Sequence, residues 1–189
     1  MKNKVVIITG ASSGIGRACA LSFFKRGAYL VLVARTESKL IELSNYIKNS
    51  GGEVMYVVAD VSNESDCFNM VNQVINKYGY IDILINNAGI SMRALFSDLD
   101  LKDFETVMKI NFYGTVYATK YALKYILHQK GSVVGISSIA GHKGLPARTA
   151  YSSSKFAMTG FLEALRIENL KKGLHVLIAS PGFTSSNIR

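Results

Sequence analysis

Tyr151 and Lys155, in the stretch Tyr151-Ser152-Ser153-Ser154-Lys155, are a phenol and an ammonium four residues apart. The surrounding pattern predicts a helix, on which residues i and i+4 share one face, one turn apart. An ammonium about 5 Å from a phenolate, at an effective dielectric near 20, favours the ionised phenol by roughly 3 kcal/mol. That is the outline of a proton-transfer device. Taken alone, such a pair is far more often an interfacial tyrosine and a solvated lysine. A second stretch, Thr9-Gly10-Ala11-Ser12-Ser13-Gly14-Ile15-Gly16, has the chemistry of a phosphate cradle. Gly10, Gly14 and Gly16 permit a tight turn, a close approach of the backbone to a pyrophosphate and close helix packing, and helix N-terminal amides attract the anion. Ser12 and Ser13 add hydroxyl donors. A glycine triplet gains force only between a strand and a helix.

The flanking elements supply that context. Residues 4–9 (KVVIIT) form a β-branched run without alternation, as expected of a parallel strand buried on both faces. A helix is expected from Gly14 to about Arg26, stopped by Gly27, and a second strand over 28–34. From about Thr36 a helix places Leu40, Leu43 and Ile47 on one face, ahead of a strand at 53–59. Ser62 or Asn63 caps a third helix with Val71, Val74, Ile75 and Tyr78 on one side, and Gly79 stops it before a strand at 81–85. After an irregular stretch, a long helical region runs over 101–128, then a strand at 132–137, a helix at 150–170 and a sixth strand at 174–179. The alternation predicts a single α/β domain over 1–189, a doubly wound parallel sheet between two helical layers. Ligands in such sheets sit outside the carboxyl ends of the strands, where the winding reverses.

Composition narrows the classes. A chain of 189 residues with 49% apolar residues fills one hydrophobic core. Cys19 and Cys67 lack C-x-x-C spacing and read as small buried side chains, while His128, His142 and His175 are too dispersed for a metal cluster, so no metal is expected. No signal peptide or bilayer-length apolar run is present in the sequence, which points to a cytoplasmic protein without a membrane partner. The net charge of +9 is spread over 22 scattered Lys and Arg. A basic surface that favours small anions fits better than a nucleic-acid site, and no nucleic-acid partner is expected.

The glycine turn, Asn86-Asn87-Ala88-Gly89 after the fourth strand and Tyr151-x-x-x-Lys155 after the fifth together resemble the short-chain dehydrogenase/reductase family over nearly the whole chain. The resemblance implies a Rossmann-like fold and roles for matching positions. Asp60 and Val61 match the pair that holds adenine. Asn87, Ala88 and Gly89 match the segment lining the cofactor, with Asn86 open to a binding or a structural role. Asn111 matches the asparagine that distorts the long helix and holds a water in a proton relay. Ser138 matches the serine bonded to the substrate oxygen, with Ser137 as its rival. Pro181-Gly182-Phe183-Thr184 matches the turn covering the nicotinamide, where Thr184 bonds the carboxamide. The implied reaction is hydride transfer between nicotinamide and a carbonyl or alcohol, with Tyr151 as general acid or base and Lys155 also holding the ribose.

Ala34 stands where an acidic residue would bind the ribose 2′-hydroxyl, and Arg35 follows it, so NADP(H) is expected over NAD(H), although Glu37 is close by. The substrate is expected to be a small carbonyl or alcohol, reduced rather than oxidised by analogy with the use of NADPH. Residues 90–99 should border its pocket, with Met92, Leu95 and Phe96 as an apolar lining. The family also implies a homodimer or homotetramer packed through the long helix and the Tyr151 helix. Members of the family continue past the proline-glycine turn through a substrate loop, a helix and a final strand, whereas this sequence stops at Arg189. The expectation is a fragment, or a fold without the C-terminal strand and part of its pocket. A catalytically idle nucleotide-binding or regulatory module is the competing expectation.

Overall fold

The six aliphatic runs pair side by side in the computed structural model, which describes residues 1–182 and 184. They are β1 (Val5–Thr9), β2 (Tyr29–Ala34), β3 (Val54–Val58), β4 (Ile83–Asn86), β5 (Ser132–Ile136) and β6 (His175–Ala179), all parallel, in the order β3-β2-β1-β4-β5-β6. The helices between them are α1 (Gly14–Phe24), α2 (Glu37–Asn49), α3 (Glu64–Tyr78), α4 (Leu101–Met108), α5 (Gly114–His128) and α6 (Thr149–Asn169). Strand side chains alternate between two buried faces. Val6 and Ile8 of β1 pack with Leu40, Leu43 and Ile47 of α2, while Val5 and Ile7 join Val71 and Val74 of α3 and Ala118 and Ile126 of α5. Both faces of β1 are therefore fully dry, which explains its unbroken apolar sequence.

Local chemistry sets the boundaries. The Asn63 side chain accepts from the Ser65 amide and caps α3, and Gly79, at φ 81°, ends it. The fourth strand begins at Ile83 rather than 81, and just before it Asp82 meets Val5 twice, its amide donating to the Val5 carbonyl and its carboxylate accepting the Val5 amide. The predicted long helix is interrupted: residues Lys109–Tyr113 form a π turn between α4 and α5, centred on Asn111. Cys67 is buried as expected, but Cys19 is only half-buried, packed against the edge of the α1/α2 core. Among the described residues β6 ends the sheet, and no helix is long and apolar enough to cross a membrane.

The chain winds outward from β1 to β3, returns through α3, and winds the other way from β4. The carboxyl ends of β1 and β4 therefore border a crevice, since their following segments leave in opposite directions. At the other end of the sheet Asp82, 2% exposed, accepts the Lys4 ammonium at 2.7 Å and the Val5 amide at 2.8 Å. Asp82→Ala leaves that buried amide unpaired and should lower stability by about 2 kcal/mol. Asp82→Asn keeps an acceptor and should cost about half as much. Urea unfolding midpoints at constant slope check both, and equal losses would contradict the assignment.

Candidate active site

The turn between β1 and α1 is shaped by contacts that admit glycine. Gly10 sits at φ 66°, and a Cβ on Gly16 would lie 2.3 Å from the Gly10 carbonyl oxygen, so α1 starts directly beneath the end of β1. Its first turn contains no acidic residue and Ser13 forms no side-chain cap, which leaves the leading amides without a side-chain acceptor. An anion satisfies such amides. The ends of β1 and β4 are stitched together around this turn. Thr9 Oγ1 accepts the amides of Asn87 and Ala88, both at 3.0 Å, and Asn87 Nδ2 donates to the carbonyls of Thr9 at 2.9 Å and Gly10 at 3.2 Å. Asn86 is buried and donates to Thr119 Oγ1 at 3.0 Å, which places it as a brace between β4 and α5.

Across the crevice stands the wall built by β5 and α6. Lys155 is not a solvated side chain: it is 3% exposed, its Nζ donates to the Ile136 carbonyl at 2.7 Å, and it lies 5.8 Å from the centroid of the Tyr151 ring. Burial pushes its pKa down from the ordinary 10.5 to about 8. Ser138 is half-buried and starts the short turn Ile139–Gly141, its Oγ accepting the Ala140 amide. Ser137 is buried, with its hydroxyl engaged by Thr159 at 3.3 Å. Of the two serines, Ser138 has the hydroxyl less committed within the protein.

Asn111 is fully buried behind this wall. Its Oδ1 accepts the Ile90 amide at 2.8 Å, and its Nδ2 donates to the Ile90 carbonyl at 2.9 Å and to Ser154 Oγ at 3.0 Å. Ser154 Oγ donates in turn to the Tyr151 carbonyl at 2.8 Å. One asparagine thus ties the segment after β4 to the first turn of α6. The added backbone carbonyl freedom of a π turn accommodates such an inserted polar side chain.

All these groups open on, or back, a single cleft of about 530 Å³ along the carboxyl ends of the strands. Gly10, Ser12, Ser13, Gly14, Ile15, Arg35, Asp60 and Val61 line its first part, Asn87, Ala88 and Gly89 its middle, and Ser138, Tyr151, Lys155, Pro181, Gly182 and Thr184 the rest. Of the residues expected from the sequence, Gly16 and Asn111 do not line the cleft; they support its floor and wall. Arg35 Nη1 is 3.8 Å from Asp60 Oδ2, with 62% of the arginine side chain exposed. Thr184 Oγ1 donates to the Gly182 carbonyl at 3.1 Å, while Phe183 lies outside the described residues.

The expected apolar lining is corrected by the structure. Met92, Leu95 and Phe96 do not line the cleft, and Leu95 and Phe96 are 60% and 61% exposed, because the chain turns outward after Ser91. Ile90 and Ser91 line it instead, joined by Leu145 and Arg148. Neither of the last two stood out in the sequence. The available signal was position, since Arg148 lies only three residues before Tyr151, at the N-cap of α6.

Residues 4–189 match the family model for short chain dehydrogenases. The chain is 41% identical over 187 residues to 11-beta-hydroxysteroid dehydrogenase-like 3 of Arabidopsis thaliana, covering 98% of this chain and 60% of that protein. It is 39% identical over 194 residues to 3-ketodihydrosphingosine reductase of Bos taurus, covering 96% and 58%. The chain therefore spans about 60% of the length of these curated relatives. Among solved structures it is similar to a short chain dehydrogenase/reductase of Burkholderia phymatum in complex with NAD, with a TM-score of 0.95 and 28% identity over 99% of this chain and 68% of that one. An alcohol dehydrogenase of the archaeon Thermococcus sibiricus, complexed with 5-hydroxy-NADP, gives a TM-score of 0.92 and 27% identity over 96% and 77%. The strand order, the glycine turn at its point of reversal and the match of a family model over nearly every residue agree, and the chain belongs to the short-chain dehydrogenase/reductase family.

Proposed function

We propose that the protein is an NADP(H)-dependent oxidoreductase acting on a carbonyl or secondary alcohol, with residues 1–189 as one domain that holds both the nucleotide and the catalytic side chains. The observation that carries this reading is the meeting of Ser138, Tyr151 and Lys155 in the same cleft as the glycine turn. Relatives named as dehydrogenases and reductases support it, as do structural neighbours that carry NAD or an NADP derivative.

The cleft fits a dinucleotide, because the leading amides of α1 lack a side-chain acceptor and the glycines let a pyrophosphate approach them. Gly10, Ser12, Ser13, Gly14, Ile15 and Gly16 would form that cradle, Asp60 and Val61 the adenine site, and Asn87, Ala88 and Gly89 the central lining. Tyr151 and Lys155 would hold the nicotinamide ribose, and Pro181, Gly182 and Thr184 would cover the ring. When bound, the nicotinamide supplies or accepts the hydride at its C4. In reduction, Tyr151 gives its phenolic proton to the substrate oxygen, and in oxidation it takes that proton back. Lys155, as an ammonium, stabilises negative charge on the phenolic oxygen, and Ser138 donates to the charge developing on the substrate oxygen. Asn111 would hold a relay water through its backbone carbonyl, which already accepts the Thr115 hydroxyl and has a second lone pair, since both side-chain donors are engaged by Ile90 and Ser154.

The NADP(H) preference follows from Arg35 at the end of β2, where Ala34 takes the place of an acid. Its contact with Asp60 is long and exposed, so a 2′-phosphate can compete for the guanidinium. Reduction of a ketone or aldehyde is the proposed direction, and a homodimer or homotetramer packed through α5 and α6 is the proposed assembly.

Incubation with NADPH and a panel of ketones, aldehydes and oxoacyl thioesters, followed at the nicotinamide absorbance, tests the reaction class. Failure of every substrate despite nucleotide binding would favour an idle module. Tyr151→Phe should lower turnover by about a hundredfold or more while weakening NADPH binding by less than about tenfold, the loss of one ribose hydrogen bond, and near-normal turnover would remove Tyr151 from its role. Wild-type turnover should favour NADPH over NADH, and Arg35→Ser should raise the KM for NADPH by about tenfold with little change for NADH. A wild-type preference for NADH would overturn the cofactor assignment.

Lys155 also predicts a pH dependence of stability without nucleotide. Below about pH 8 the folded protein carries the cost of a buried ammonium. Between about 8 and 10.5 the unfolded chain retains the proton that the folded chain has released, so the contribution of Lys155 to stability rises with pH across this window. Lys155→Met should remove that rise from urea unfolding curves, and a wild-type minus variant difference that falls with pH would contradict it.

A further inference from the structure

We infer that Arg148 is a positioning residue: it fastens the loop after β4 to the turn that enters α6, and so fixes the substrate end of the cleft beside Tyr151. The inference rests on the proposed carbonyl reduction for what it says of substrate. Its geometric basis is independent. Arg148 Nη1 donates to the hydroxyl of Ser91 and, at 2.9 Å, to the carbonyl of Met92. One residue earlier, the Ala147 carbonyl accepts the Ala94 amide at 3.2 Å. Ala147 is held at φ 56°, a left-handed conformation that a non-glycine residue keeps only where its surroundings impose it. Residues 91–94 are thus tied at both ends to two consecutive residues of the other segment.

The strap continues into the helix. The Ser152 amide donates to the Arg148 carbonyl at 2.7 Å, and Ser152 Oγ accepts the Leu145 amide at 3.3 Å. Ser152 is the neighbour of Tyr151, so the loop, the turn and the phenol belong to one connected unit. Ser91, Arg148 and Tyr151 all line the cleft, on the segments that follow β4 and β5, whereas the glycine turn follows β1 on the other side of the point of reversal. Among the described residues no carboxylate lies within 4.0 Å of Arg148, so its fork of donors is directed by neutral acceptors on the loop. A planar guanidinium suits this bridging of a hydroxyl and a carbonyl better than the point charge of a lysine does.

Releasing the strap should loosen the wall that a ketone meets and leave the nucleotide end as it is. The test compares Arg148→Met, Arg148→Lys and Ser91→Ala with the wild type in the full-length protein. It measures NADPH affinity by fluorescence, KM and kcat with acetophenone, and amide hydrogen exchange of residues 90–94. Arg148→Met should raise the acetophenone KM by about tenfold or more, with kcat changed less than about threefold and NADPH affinity within about twofold. Arg148→Lys and Ser91→Ala should fall between wild type and Arg148→Met, and exchange at 90–94 should quicken in the same order. An unchanged KM in Arg148→Met, or NADPH affinity falling in parallel with KM, overturns the assignment. Should Arg148→Met not fold, the Ser91→Ala comparison decides by the same readouts. If the wild type does not reduce acetophenone, the exchange arm alone decides: faster exchange confined to 90–94 supports the strap, and unchanged exchange sinks it.

Discussion

The constraint on which the rest depends is the lateral bond between the ends of β1 and β4. Two strands whose following segments depart in opposite directions tend to leave a gap, and here one hydroxyl and one amide side chain define its edges. Thr9 receives two amides from the far strand, and Asn87 returns two donor bonds to the turn after the near one. Neither side chain is apolar, yet both are needed where the sheet ladder stops and backbone groups lose their partners. The cleft is therefore a product of satisfied polar groups as much as of sheet topology.

Much of this architecture was legible in the sequence, for physical reasons that differ by element. The strands β1, β2 and β4 were readable because both of their faces are dry, so Val5 to Ile8 could only be aliphatic. Helix ends were readable where a glycine or an asparagine had a conformational task, as at Asn63 and Gly79. Tyr151 and Lys155 were placed by spacing, and the resemblance of the whole chain supplied their partners. The lysine's burial was not legible, since four methylenes and a charge suit solvent and interior equally well until the surrounding packing is known. Met92, Leu95 and Phe96 misled because loop hydrophobicity carries no direction. Arg148 was passed over because its partners are Ser91 and the Met92 carbonyl, contacts that leave no periodic trace.

The wall built by β5 and α6 shows how a polar interior is kept affordable. Asn111, Ser154 and Lys155 are all buried, and each hydrogen-bonds to a backbone carbonyl, a backbone amide or another member of the group. Satisfied networks of this kind rigidify the groups they contain, whereas one unpaired member would cost more than the network contributes. Lys155 is the exception in kind: its bond to Ile136 leaves a charge with no counter-ion among the described salt bridges, so its electrostatic influence on neighbours is undiluted.

The π turn at Lys109–Tyr113 carries a consequence beyond the asparagine at its centre. Each residue of an α-helix advances the side chains by about 100° around the axis, so one extra residue accommodated in a wider turn re-phases everything after it. The buried stripe of α5, from Thr115 through Ala118, Thr119 and Ala122 to Ile126, faces the sheet only in the phase the π turn sets after Val107 of α4. Drawing the same residues into a regular helix would turn everything after them by about a further 100° and carry that stripe away from the sheet, bringing the tyrosines at 117, 121 and 125 round toward it. The turn thus absorbs one residue without passing it on, and sets the phase of the helix that follows.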